Sequence, residues 1–259
     1  MTLSCIAASV RIGAKILLAE STVHLHPGRV TAIIGPNGAG KSTLLSLLGG
    51  QRRPTKGKVM LDDRPLEAYP PATLALRRAL MPQESAVAFD FNAQEIVALG
   101  RFPHRLKASL DEDQIISGAM ALTDVSPLAP RILNTLSGGE KARVHMARAL
   151  AQLWHPRPDN ATRWLLLDEP TAALDIAHQH AAMRLLRDWS AKGVGVVAVL
   201  HDLNLALRYA DDVVVVRSGT AAIQGAAASV LQPELIECVW GTSCQAVAGR
   251  DGAVQYLFG

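Results

Sequence analysis

The sequence predicts an α/β chain built around a phosphate-binding loop, and three features carry that prediction. An apolar strand runs directly into a glycine-rich loop and then a helix between positions 30 and 48. Two later runs, at 164–167 and 194–200, are apolar almost throughout, as strands covered by helices on both faces must be. The stretch from 92 to 153 is patterned for helices and contains no convincing strand, which makes it a helical lobe inserted into the α/β core.

In chain order, residues 3–34 are expected to form short strands, with His26-Pro27-Gly28 as the turn before Val30-Thr31-Ala32-Ile33-Ile34. Gly35-Pro36-Asn37-Gly38-Ala39-Gly40-Lys41-Ser42 follows. Thr43-Leu44-Leu45-Ser46-Leu47-Leu48 then suits the first turns of a helix that Gly49-Gly50 stops. The glycines let backbone N–H groups curl around an anion without Cβ clashes, and the helix N-terminus adds the positive end of its dipole. In such a loop Lys41 reaches the β- and γ-phosphates of a nucleotide, Ser42 ligates Mg²⁺ through its hydroxyl, and Thr43 completes the binding set. Lys58-Val59-Met60-Leu61 reads as a strand turning at Asp62-Asp63. Helices are expected at 94–99, 111–122 and 138–153, and the proline-rich stretch 155–160 returns the chain to the core. Val213-Val214-Val215-Val216 reads as a last strand turning at Arg217-Ser218-Gly219, after a short helix at 204–209.

At 259 residues and 49% apolar composition, the chain has ample material for a core and excludes disorder. Its longest apolar stretches fall far short of the roughly 20 residues that cross a bilayer, and no secretory signal is apparent at the N-terminus. A net charge of +3 permits contact with an anionic surface without arguing for one. Cys5, Cys238 and Cys244 are odd in number and lack Cys-x-x-Cys spacing, so reduced thiols in an intracellular protein are expected. His178 and His180 are two apart on an expected helix and face different ways, so they cannot form a helical metal pair. His24 and His26 read as surface imidazoles.

Two further pieces handle phosphate. The strand 164–167 ends in Asp168-Glu169-Pro170, which places carboxylates at the edge of a sheet where ligands of open α/β folds bind. Asp168 suits Mg²⁺, and Glu169 suits a base that polarises the attacking water. Leu136-Ser137-Gly138-Gly139-Glu140 opens a helix with the S-x-x-E spacing of a capping box. The two glycines cost roughly 1 kcal/mol each in a first helical turn, and their use would be to bare N–H groups to a second anion.

Together, 35–42, 136–140 and Leu167-Asp168-Glu169-Pro170 resemble the nucleotide-binding subunit of an ATP-binding cassette transporter, over nearly the whole chain. The resemblance implies a phosphate-loop, RecA-like ATPase core (1–88 and 156–259) that includes antiparallel N-terminal strands, and a helical subdomain (89–155). It implies that Gln83 senses Mg²⁺ and the permease, that Glu169 and His201 act on the γ-phosphate, and that Ala173-Leu174-Asp175 crosses between subunits. Ile12 stands where many cassettes stack adenine on an aromatic, and Ala173 replaces a common serine. The implied assembly is a head-to-tail homodimer in which ATP lies between Lys41 of one copy and Ser137-Gly138-Gly139-Glu140 of the other. It would work beneath a transmembrane permease dimer at the cytoplasmic face of the inner membrane, served indirectly by a periplasmic substrate-binding protein.

Phe89-Asp90-Phe91, Val97-Ala98-Leu99-Gly100-Arg101 and Pro103-His104-Arg105 resemble importers of ferric siderophores, vitamin B12 and haem. The segments 147–154 and 175–180 are most similar to haem importers. A nucleic-acid-associated cassette is disfavoured, since the chain has no coiled coil, no second cassette and only 4% aromatic residues. A phosphate-loop kinase, in which Ser137 would merely cap a helix, is the remaining enzymatic alternative.

Overall fold

Every residue of Val30–Ile34 and of Gly195–Val199 is buried, which a strand achieves only inside a sheet covered on both faces. The computed structural model describes residues 2–83, 89–249 and 252–259. Its first half contains β1 (Leu3–Ile12), β2 (Lys15–Leu25), β3 (Val30–Ile34), α1 (Lys41–Leu48), β4 (Lys56–Leu61), β5 (Arg64–Pro65), α2 (Pro71–Ala75) and β6 (Arg78–Met81). The helical stretch follows as α3 (Ala93–Leu99), α4 (Glu112–Leu122) and α5 (Gly138–Gln152). The chain then runs through β7 (Trp164–Asp168), α6 (Ile176–Ala191), β8 (Gly195–Val199), α7 (Leu203–Tyr209) and β9 (Asp212–Arg217). It closes with β10 (Thr220–Ala226), α8 (Ala227–Val230), α9 (Pro233–Trp240), β11 (Cys244–Ala248) and β12 (Val254–Phe258).

The central sheet is six-stranded, ordered β10-β9-β3-β8-β7-β6, and parallel except for β10. Alternation along its strands serves two cores. Val30, Ala32 and Ile34 join Leu165 and Leu167 in a core closed by Met183, Leu186 and Trp189 of α6. Ile33, Leu166, Val197 and Val214 join the opposite core, against α1 and a second, antiparallel sheet ordered β2-β1-β4-β5.

The N-terminal strands are longer than the short pieces expected: β1 has 10 residues and β2 has 11. Register shifts between Cys5 and Ala8 and between Ala8 and Val10, with Ala7 at φ 47°, bend β1 so that it keeps pairing. Between 92 and 153 no strand forms; Asn92 and Ile132 make only an isolated bridge. Ile96 and Val97 of α3, Ile115 and Ala119 of α4, and Val144 and Ala147 of α5 build a separate helical core. Glu84 and the expected junction at 88 lie outside the described residues. The short strand β6 and the C-terminal hairpin of β11 and β12 have no counterpart in the sequence expectations.

Candidate active site

β3 ends at Ile34, and the chain leaves the sheet through Gly35 at φ 148°. A Cβ there would lie 2.0 Å from the Val216 carbonyl oxygen, so only glycine passes this close to β9. Gly38 and Gly40, at φ 74° and 105°, wind the loop back into α1. Gly40 caps that helix without any side-chain acceptor, which leaves first-turn N–H groups for an anion.

Lys41 is buried, and its Nζ donates to the carbonyl oxygens of Gly35 at 2.9 Å and Pro36 at 3.0 Å. Burial pulls its pKa down, opposed by the nearby charges of Glu169 and Asp168. Ser42 Oγ donates to Asp168 Oδ1 at 3.0 Å, so the start of α1 meets the carboxylate that ends β7. Burial pushes Asp168 above the usual carboxylate range, opposed by that hydrogen bond. A hydroxyl and a carboxylate converging here are hard oxygen donors, which fit Mg²⁺.

Glu169 takes a left-handed backbone at φ 53°, a strain of roughly 1 kcal/mol for a residue with a side chain. From there its carboxylate meets groups from two neighbouring strand ends. Gln83 Nε2, just past β6, donates to Oε2 at 2.8 Å, and His201 Nε2, just past β8, lies 2.6 Å from Oε1. The loop, Lys41, Ser42, Gln83, Glu169 and His201 line one cavity of about 870 Å³ at the carboxyl ends of the parallel strands. Asp168 borders the adjoining cavity with Ser42 and Thr43.

The helix-opening motif lies elsewhere. Ser137 and Glu140 form both halves of a capping box: Ser137 N–H donates to Glu140 Oε2 at 2.7 Å, and Glu140 N–H donates to Ser137 Oγ at 3.3 Å. The Ser137 backbone bond holds Glu140 below its ordinary value. Ser137, Gly138, Gly139 and Glu140 line a second cavity of about 380 Å³ with Ala173, Leu174 and Asp175, and it shares no lining residue with the first. The structure adds a reason for the second glycine. A Cβ on Gly139 would stand 2.9 Å from the Ala173 carbonyl oxygen, so the Ala173 backbone packs directly on the motif.

Sequence reasoning missed part of the first cavity. Lys15, Ile16 and Leu17, which open β2 just after the β1–β2 turn, and Ser218 and Gly219 after β9 line it, far from the loop in sequence and without a local motif of their own. Ile12 is 56% exposed at that turn, with Lys15 as its ladder partner. The histidines keep apart: His180 Nδ1 pairs with the Tyr209 hydroxyl at 2.9 Å, His178 Nδ1 with Asp175 at 2.9 Å, and His24 and His26 are exposed.

The model of the ABC transporter family matches residues 18–172. The chain is 46% identical over 233 residues to the hemin import ATP-binding protein HmuV of Gloeobacter violaceus, covering 90% of this chain and 84% of that protein. It is 44% identical to the protein of the same name from Pseudomonas aeruginosa, covering 90% of each. Among solved structures, an inward-facing metal-chelate type ABC transporter superposes with a TM-score of 0.79 at 26% identity, covering 100% of this chain and 96% of that one. The dimeric cassette MJ0796 bound to ADP and Pi superposes at 0.75 with 26% identity, covering 87% and 98%. The family model spans more than half of the chain, and relatives above 40% identity cover nine-tenths of it, so this chain, with its phosphate loop after β3, its carboxylate pair at the end of β7 and its separate Leu-Ser-Gly-Gly-Glu helix start, belongs to the ABC transporter family as an ATP-binding cassette.

Proposed function

We propose that this chain is the ATP-hydrolysing subunit of a haem importer and that two copies, head to tail, share each ATP. The observation that carries the shared site is the separation of the two phosphate-handling surfaces. Within one chain, Lys41 and the Ser137 motif line different cavities with no residue in common. A second copy would bring its Ser137-Gly138-Gly139 against the γ-phosphate that Lys41 of the first copy holds.

In that arrangement the loop from Gly35 to Gly40 cradles the phosphates with backbone N–H groups, and Lys41 leaves the loop carbonyls for the β- and γ-phosphate oxygens. Ser42, Asp168 and Gln83 would hold Mg²⁺, which supplies charge neutralisation on the phosphate oxygens. Glu169 orients the attacking water and accepts its proton, while His201 beside it contacts the γ-phosphate. Gln83, already bonded to Glu169, reports the state of the helical side to the catalytic carboxylate. Because phosphoryl transfer depends on positioning and charge, a site completed only on closure ties hydrolysis to motion.

The cargo assignment rests on the relatives named for hemin import. None of the helices among the described residues is long and apolar enough to cross a membrane, and in the proposed importer the path across it belongs to a permease dimer. A face for it lies after Gln83, where Phe89, Phe102, Leu106 and Leu110 are exposed by 73%, 60%, 88% and 109%. Docked there, the subunit sits at the cytoplasmic face of the inner membrane, and a periplasmic binding protein meets it only through the permease.

Deleting the gene and growing the source organism on haem, a ferric siderophore or inorganic iron tests the cargo. Growth should fail on haem alone and return with the wild-type gene but not with Glu169→Gln. Failure confined to the siderophore would reassign the cargo, and unimpaired growth on haem would contradict the proposal.

A further inference from the structure

A second basic cavity lies against the opposite end of α1 from the phosphate loop, about 12 Å away for a helix of this length. It measures about 580 Å³, and its lining includes Arg52, Arg53, Lys58 and Arg78 against a single carboxylate, Glu67. Among the described residues none of these four cations has a carboxylate partner, whereas Arg77, one residue before Arg78, is paired with Asp62 at 2.6 Å. Arg78 is the telling one. Its Nε is fully buried with no hydrogen-bond partner, and its guanidinium lies over Gly50, where a Cβ would come 3.3 Å from Nη2. That Nε is sealed from the cavity, but the residue lines it and is only partly buried, so the rest of an unpaired guanidinium is placed to gain from a ligand oxygen.

The rest of the cavity suits an anion with an organic part. Leu66 and Leu74 form an apolar floor, and Arg52, Arg53 and Lys58 stand exposed at the rim. The negative end of the α1 dipole does not oppose such a ligand strongly. The last carbonyls of the helix are turned onto the N–H groups of Gly49, Gly50, Gln51 and Arg52 at 2.8, 2.8, 2.9 and 3.2 Å.

We propose that this cavity binds a phosphate-bearing organic anion, either a soluble phosphate ester or the headgroup of an anionic phospholipid. Arg78 would grip the phosphate from the interior and Arg53 and Lys58 would close over it from the rim, a forked arrangement that guanidinium groups favour. Burial already lowers the Arg78 pKa, and an anion beside it would reverse that direction.

Pyrophosphate is the probe, because it carries the shared chemistry. Calorimetric titration into the full chain bearing Lys41→Ala, which disables the phosphate loop, should still show one binding site. Adding Arg53→Gln and Lys58→Gln, both exposed positions that leave the fold intact, should weaken that site by about tenfold or more. No binding to the Lys41→Ala chain, or equal affinity with and without the two rim substitutions, would overturn the proposal. Vesicles of phosphatidylcholine doped with phosphatidylglycerol then separate the sources. If they displace pyrophosphate where pure phosphatidylcholine does not, the headgroup is the ligand; if neither displaces it, the soluble ester is.

Discussion

Glu169 gathers the site's geometry into one side chain: a left-handed backbone, a hydrogen bond from Gln83 and a close contact with His201. If it accepts the proton of the attacking water, Glu169→Gln should keep ATP affinity while slowing phosphate release by about 10²- to 10⁴-fold. Paired assays of nucleotide binding and phosphate release measure the two effects separately, and near-normal turnover would remove Glu169 from the chemistry. A second residue-scale expectation concerns His145 on α5, whose buried Nδ1 has no partner. Burial, then Arg148 and Lys141, lowers its pKa from 6.5 to about 4. Unfolded, the ring takes up its proton near 6.5, so its share of stability is intact above that pH and is lost as pH falls towards 4. That share reaches up to about 3 kcal/mol. His145→Leu should therefore flatten the loss of stability across this window, measured as urea midpoints above and below it. An unchanged acid dependence would show that His145 is not its source.

At the scale of elements, the phosphate loop depends on how closely β3 passes β9. Gly35→Ala would drive a methyl into the Val216 carbonyl, 2.0 Å away, and should cost on the order of 2 kcal/mol or more. Thermal unfolding and ATP titration of this variant should both shift, and a neutral result would mean that the loop can leave the sheet by another path. This contact also shows why some elements were legible in the sequence and others were not. β3, β7, β8 and β9 announce themselves because a doubly covered strand is apolar along nearly all of its buried length. β6 is a four-residue edge strand that begins with an arginine and alternates burial, too short for periodicity to register. β11 and β12 pair only with each other and carry mostly exposed residues, so burial imprints little pattern on them. In the site, motif residues were readable because phosphate chemistry demands fixed spacing. Lys15, Ile16 and Gly219 reach the same cavity only through the pairing of distant strands, which no local pattern encodes.

For the molecule as a whole, the division of labour follows from where the motifs lie. Parallel strand ends bring the phosphate loop, Asp168, Glu169, Gln83 and His201 into adjoining cavities, while the Ser137 helix opens a separate one beside Ala173 and Asp175. It is this separation within one chain that the proposed pairing of two copies would close. The most direct test mixes two inactive variants. Lys41→Ala removes the phosphate contact but leaves the Ser137 motif whole, and Gly138→Asp does the reverse, placing a carboxylate where the γ-phosphate would bind. If the site is shared between copies, each variant alone should be inactive in ATP hydrolysis. An equimolar mixture should regain a fraction of wild-type activity, because each mixed dimer holds one intact site. A mixture no more active than its separate components would contradict the shared site.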